Sequence, residues 1–339
     1  GCPDMAGSEQ LNQMPGQMTR AGINLIPEAP VEKMVDLAIA AEELGFGRCW
    51  VYDEGLATRD VYVTMAAILL ATDHLEVGPG ITNAYTRHPG QTAAAIATLD
   101  EMSGGRAFLG MGAGGSLTLD PLAITRDRPL ETVTQAIAVC RGLFSGETID
   151  LDGPGFSLRS ANLAYSRPDI QIWLAGRGPR MLDLGGAVAD GVLLDFIHKP
   201  SLGEYVERVR TGAERTGNQP GICYSTMIVT DERSLEAVRP HMTYRLVDSP
   251  PDVREALDIS DSDVAAIRSA MADGLEAAAL LVPDEWVLPF VVSGTVEECS
   301  VELHNLMDSH GINEFKIPVY DIDHGRELLE VTARVLEQR

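Results

Sequence analysis

Apolar residues along this chain fall into short aliphatic blocks, and each block is followed by a stretch in which they recur at helical spacing. The first block, Gly22–Ile26, is stopped by Pro27 and Pro30. After it, Val31, Met34, Val35, Ala38, Ile39 and Ala41 form one face of a helix over Val31–Leu44, and Gly45 ends it. Cys49–Asp53 then reads as a strand and Asp60–Thr72 as a helix. Leu75, Val77 and Ile81 form a third strand interrupted by Gly78-Pro79-Gly80. Pro89 opens the next helix, carried by Ala93–Met102 and closed by Gly104-Gly105. The pattern continues with strands over Arg106–Gly112, Ile170–Ala175, Gly191–Asp195, Ile222–Val229 and Ile312–Val319. Helices are expected over Pro129–Phe144, from Pro179 through Ala189, and over Leu202–Thr216 and Arg326–Leu336.

Eight strand-then-helix units in 339 residues predict a closed (β/α)8 TIM barrel over 21–339, with an open doubly wound sheet as the alternative. Residues 1–20, polar and without a period, read as a flexible arm. Residues 147–168 read as an irregular or hairpin excursion, and about 232–292 as a helical insertion between the seventh and eighth strands. Within that insertion Asp258–Asp263 lacks the glycine and distal Glu of a calcium loop and precedes an apolar-periodic stretch, so it predicts a helix N-cap.

Composition narrows the partners. Fifty acidic residues against 26 basic ones give a net charge of −24, which has the wrong sign for neutralising nucleic-acid phosphates. Twenty-three of the bases are arginine; Lys33, Lys199 and Lys316 are the lysines. A salt-rich cytoplasm and GC-rich coding bias both account for such a surface. No apolar run is long enough for a bilayer span and no signal segment opens the chain, so a cytoplasmic protein is expected. The five cysteines are dispersed and read as small buried hydrophobes. Seven histidines show no metal-ligand spacing; of these, His74, His304, His310 and His324 read as surface residues.

In a barrel of this kind the reactive groups stand at the C-terminal ends of the strands. These ends carry Asn24, Asp53-Glu54, Gly80-Ile81-Thr82-Asn83, Gly112 and Gly114, Ala175-Gly176-Arg177-Gly178-Pro179, Asp195 with His198, and Thr226. Glycine on three of these strands suits a flat ligand lying against backbone. Arginine is expected at one strand end, in Gly176-Arg177-Gly178-Pro179-Arg180, where free N–H groups at a helix start and two guanidinium groups can face one phosphate. Asp53 and Glu54 are the candidates for moving a proton, although Asp53 is equally suited to capping the following turn. Gly110–Gly115 matches G-x-G-x-x-G, but no helix is expected directly after it and no ribose-binding acid ends the next strand, so a Rossmann reading fails.

Three stretches resemble the luciferase-like flavin and deazaflavin oxidoreductases, and within them the coenzyme F420-dependent methylenetetrahydromethanopterin reductases. They are Gly78-Pro-Gly-Ile-Thr-Asn-Ala-Tyr-Thr-Arg-His-Pro89, Leu109-Gly-Met-Gly-Ala-Gly-Gly115 with Leu117–Ile124, and Trp173–Leu184. The resemblance implies a dimeric (β/α)8 barrel that holds F420 at the strand ends. It also implies a non-prolyl cis peptide at Gly80–Ile81 behind the ring, and the cofactor phosphate near Gly176, Arg177 and Gly178. The implied substrate is 5,10-methylenetetrahydromethanopterin or a related pterin-bound one-carbon unit. Hydride transfer needs positioning and exclusion of water, not a protein nucleophile, which suits a chain with no Gly-x-Ser-x-Gly elbow. Two departures stand out: Asn24 where the reductases commonly carry an acid, and Asp53-Glu54 where they commonly carry Asp-His. Two alternatives remain: an FMN-dependent luciferase-like monooxygenase, and a non-catalytic barrel subunit.

Overall fold

The computed structural model describes residues 20–338, so the arm expected over 1–20 lies outside the described residues except for Arg20, which begins the first strand. Eight parallel strands form the barrel: β1 Arg20–Leu25, β2 Arg48–Val51, β3 Glu76–Pro79 (resumed at Thr82–Asn83), β4 Leu109–Gly112, β5 Ile172–Ala175, β6 Gly191–Asp195, β7 Gly221–Ser225 and β8 Glu314–Val319. Their order follows the chain, and β8 returns to pair with β1, with Asn24 opposite Pro318. Between β3 and β4 the sheet is joined by the Val77–Ala107 bridge and by Thr82–Asn83 beside Met111–Gly112.

Local signals account for the helices. Asp60 accepts from the Val63 N–H at 3.0 Å and starts Val61–Ala71. Pro89 occupies the first turn of Pro89–Met102. Ser260 caps Asp261–Met271 in a reciprocal box with Asp263, as the expected N-cap requires. No described helix is long and apolar enough to cross a membrane.

Three expectations need correction. The seventh strand does not run unbroken to Val229: β7 ends at Ser225, and Ile228–Val229 leaves the barrel to pair with Val292–Ser293, which anchors the insertion. A helical turn, Ser116–Leu119, does follow the Gly110–Gly115 motif, but it is four residues long and gives way to a 3-10 turn at Asp120–Leu122. The excursion at 147–168 takes the hairpin form, with Ile149–Asp152 antiparallel to Ser157–Ala161, as the sequence allowed. His304 is buried, not on the surface, with Nδ1 2.8 Å from the Ser300 carbonyl one turn back.

The lower barrel is filled by side chains. Arg48, 1% exposed, lies between the rings of Phe108 and Trp173 (4.8 and 4.7 Å). It is neutralised by Glu76 at 2.8 Å and Glu314 at 3.1 Å, with Gln171 at 2.9 Å. Above it Trp50 meets Phe108 and Trp173 edge-on at 4.6 and 5.5 Å. Three large rings on neighbouring strands need small residues opposite them: a Cβ on Gly78 would sit 2.4 Å from the Phe108 ring, and one on Gly191 2.4 Å from that of Trp173. The floor is therefore closed by packed side chains, and the mouth opens above it.

Candidate active site

The Gly80–Ile81 peptide is cis, as the resemblance implied. Gly80 packs inward, where a Cβ would lie 2.6 Å from Trp50 Cβ and 3.1 Å from the Asn24 side-chain amide. Ile81 turns its half-exposed side chain to the mouth over the Trp50–Trp173 cluster, and Ala175 joins it from β5. Gly112 closes the same patch, since a Cβ there would fall 2.0 Å from Ile81 Cδ1 and 3.1 Å from the Ala175 carbonyl. Ile81, Gly112 and Ala175 thus form one apolar shelf. The glycines at 80 and 112 already have reasons inside the protein, so they do not by themselves argue for a flat ligand.

Gly178 is different. Its backbone is extended (φ −71°, ψ 143°) and a Cβ would meet nothing within 4 Å. It caps the ten-residue helix Pro179–Val188, which has no side-chain N-cap, so the N–H groups of the first turn face outward. Among the described residues neither Arg177 nor Arg180 has a carboxylate partner, while Asp183 on the same helix is taken by Arg215 at 2.7 Å. Gly176 packs on Met181, 2.4 Å from a built Cβ to Cγ, which turns the loop outward.

The remaining candidates divide. Thr82 is 1% exposed and donates to Asp53 at 2.6 Å; Asn83 is also buried, its Oδ1 accepting from the N–H groups of Tyr85 and Thr86 at 2.9 Å. Both hold the loop in shape and are occupied by doing so. Gly114 (φ 74°) packs on Asn83, and its carbonyl accepts from Arg126 at 2.8 Å. Asp53 is tied to Thr82 and to the turn at Gly55; burial raises its pKa against those bonds. Glu54 accepts no side-chain bond among the described residues, and burial, with Glu28 and Asp53 nearby, raises its pKa. It is the carboxyl left available. Asn24 is fully buried; the amide orientation that satisfies its neighbours donates to the Trp50 carbonyl (3.2 Å) and accepts from Lys316 Nζ (2.8 Å) and Tyr52 Oη (3.2 Å).

Several groups at the mouth were not legible in the sequence. Arg245 and His241 arrive from the insertion helix Glu232–Val247: Arg245 hydrogen-bonds Asp195 at the end of β6, and His241 stacks on Tyr320 at 3.7 Å. Arg87 stacks over Tyr62 at 4.4 Å and influences Asp53. Arginine at the mouth is therefore not confined to the fifth strand end. Tyr52 and Tyr320 adjoin one another, and burial raises both phenols well above 10, so both stay protonated. A cleft of about 550 Å³ between Lys33, Arg233 and Asp321 reaches Tyr320 from outside the barrel. A cleft of about 670 Å³ elsewhere, along Val296–His310, gathers Val301, Leu306 and acidic residues without convergent chemistry.

An apolar shelf beside unpaired guanidinium groups at an open helix start suits a ring with an anionic tail. The chain belongs to the luciferase-like monooxygenase family, whose sequence profile matches residues 11–314, and is an oxidoreductase. Its relatives include 5,10-methylenetetrahydromethanopterin reductases. That of Methanolobus tindarius is 32% identical over 295 residues, covering 85% of this chain and 90% of the relative. That of Archaeoglobus fulgidus is 31% identical over 304 residues, covering 86% and 91%. The solved structure of the coenzyme F420-dependent tetrahydromethanopterin reductase of Methanopyrus kandleri superposes with a TM-score of 0.83 at 24% identity, covering 94% of this chain and 98% of that one. That likeness establishes the shared barrel.

Proposed function

We propose that this protein is a coenzyme F420-dependent oxidoreductase that moves a hydride between the deazaflavin and a small organic substrate, 5,10-methylenetetrahydromethanopterin or a related pterin-bound one-carbon unit. The observation that carries the cofactor is Gly178: a glycine that neither its backbone angles nor its neighbours require, next to the unpaired Arg177. A phosphate approaching the backbone at 176–180 supplies the missing reason. Ile81, Gly112 and Ala175 offer the shelf for the ring. The bound cofactor would supply the hydride. The chain's part is to bind and orient both reactants, exclude water, and hold a proton at Glu54, whose pKa burial raises above the usual carboxylate value. The reductase names of the relatives support the one-carbon substrate.

A second reading follows from the family's own description: the same loop would take FMN, as a luciferase-like monooxygenase requires. Side-by-side fluorescence titration with F420 and FMN separates the two. Quenching of F420 with the tighter binding supports the first reading; tighter FMN binding without F420 quenching removes it. The enzyme works as a homodimer in this proposal. The helix Val61–Ala71 is apolar on all sides, with Val63 and Leu70 64% and 73% exposed and Leu56 beside it at 74%, a face that a second copy would cover.

A further inference from the structure

Arg87 is a guanidinium that the protein fixes in place without using it. It belongs to the connection at residues 84–88, between Thr82–Asn83 and the helix Pro89–Met102. That connection is pinned along its length. Asn83 Oδ1 accepts from the N–H groups of Tyr85 and Thr86 at 2.9 Å, Tyr85 Oη donates to the Asp127 carbonyl at 2.7 Å, and His88 Nδ1 accepts from the Gly90 N–H at 3.0 Å. The Arg87 guanidinium lies 4.4 Å over the ring of Tyr62, in the first turn of Val61–Ala71. Among the described residues it has no carboxylate within ion-pairing distance and donates no hydrogen bond. Its Nε is buried without a partner, although buried polar atoms are ordinarily bonded. In a chain with 50 acids to 26 bases, a half-buried arginine left unpaired needs a reason. Contacts carry it to the strand ends. The Tyr62 hydroxyl neighbours Thr82 and lies 3.5 Å from Thr92 Oγ1. Thr82 donates to Asp53 just past the end of β2, and it directly follows Ile81, the β3 edge of the apolar shelf. Burial raises the Asp53 pKa, and Arg87 is near enough to oppose that rise. The shelf thus runs from Ile81 through Gly112 to Ala175 with a guanidinium beyond each end, Arg87 past β3 and Arg177 past β5.

We propose that Arg87 is a second anion-binding residue of this site, taking a negatively charged oxygen of the bound reactants at the end of the shelf away from the 176–180 loop. This rests on the cofactor reading above. A guanidinium presents a flat fork of donors suited to such an oxygen. The stack on Tyr62 orients that fork, and the pinned connection removes part of the ordering cost that a free side chain would bring to binding. Asp53 does not compete for the fork at close range, because its carboxylate is turned to Thr82 at 2.6 Å. Two sources supply an oxygen of this kind. One is the ring hydroxyl of F420, an ionisable group where FMN carries a methyl. The other is an acidic group of the substrate. The first makes Arg87 the residue that selects deazaflavin over flavin; the second makes it a residue that selects substrate. In either case Arg177 and the helix start at Pro179 keep the phosphate.

Fluorescence titration of Arg87→Met with F420 and with FMN, followed by kinetics with methylenetetrahydromethanopterin, separates the two sources. Methionine keeps an apolar contact with Tyr62, so the free variant should melt close to the parent temperature. At least tenfold weaker F420 binding with FMN binding unchanged assigns the oxygen to the ring. Unchanged F420 binding, with KM for the substrate raised at least tenfold and kcat little altered, assigns it to the substrate. Arg159→Met, whose guanidinium is committed to Asp152 at 2.6 Å in the hairpin, should alter none of these. Both dissociation constants and KM unchanged in Arg87→Met would overturn the proposal. So would an equal loss for F420 and FMN, which share the phosphate but not the ring hydroxyl. A second measurement needs neither turnover nor the methionine variant. In arginine-labelled parent protein, the Arg87 Nε signal, identified by its loss in Arg87→Lys, should shift on adding F420 or tetrahydromethanopterin, whichever carries the oxygen; no shift with either refutes the role. Failure of the parent protein to bind F420 would instead overturn the cofactor reading, while the same signal titrated with tetrahydromethanopterin would still decide whether Arg87 meets an anion.

Discussion

Replacing Gly178 by alanine separates a ligand requirement from a folding requirement. At φ −71° and ψ 143°, with nothing within 4 Å of a built Cβ, the free protein should tolerate alanine, the gain of about 0.4–1 kcal/mol from a less flexible unfolded chain being offset by alanine's poorer N-capping. The bound form should not. A methyl group at the mouth of the phosphate loop keeps an anion off the N–H groups of the following helix. Losing one charged hydrogen bond costs about 1.5–3 kcal/mol, which is roughly a 10- to 150-fold weaker dissociation constant. Thermal unfolding of the free protein and F420 fluorescence titration of the same sample report the two effects. Arg177→Ala should weaken binding over the same range, whereas Arg215→Ala, whose guanidinium is committed to Asp183, should not. Gly80→Ala provides the contrast: its methyl would press on Trp50 at 2.6 Å and destabilise the free protein. If Gly178→Ala binds F420 as tightly as the parent protein, the phosphate does not lie at this loop.

Three further outcomes are expected. Glu54→Gln should lower kcat by about 10²–10⁴ if this carboxyl handles the proton, and should abolish a limb of the pH–rate profile lying above the usual carboxylate range, because burial raises the pKa; a parallel profile at full rate would refute the role. Burial lowers His241 to about 4 from 6.5. The unfolded chain therefore binds more protons between those values, and the stability contribution is complete above about pH 6.5 and lost as the pH falls towards 4, by up to about 3 kcal/mol. Urea midpoints against pH should show this acid-side loss, and His241→Gln should flatten it. Leu70→Glu, on the exposed apolar helix face, should convert a dimer to monomers in light scattering; an unchanged mass would place the interface elsewhere.

The sequence by itself determined the elements and the barrel. Alternation of aliphatic blocks with helical periodicity is a local property, and so are the stops at Gly45 and the caps at Asp60 and Ser260. The loop at 176–180 proposed for the cofactor was legible for the same reason, since a helix start and its flanking arginines are neighbours in the chain. Tertiary structure decided the rest. Nothing near Lys316 in sequence announces that it faces Asn24, Ser225 and Asp195, because side chains separated by up to 292 positions become neighbours only when β8 closes against β1 and β7. Nor does the chain near Arg245 and His241 reveal that the insertion brings them over the mouth. Closure also reassigned the glycines: those at 80 and 112 answer to Trp50 and Ile81 inside the protein, whereas a Cβ at Gly178 would meet only open space.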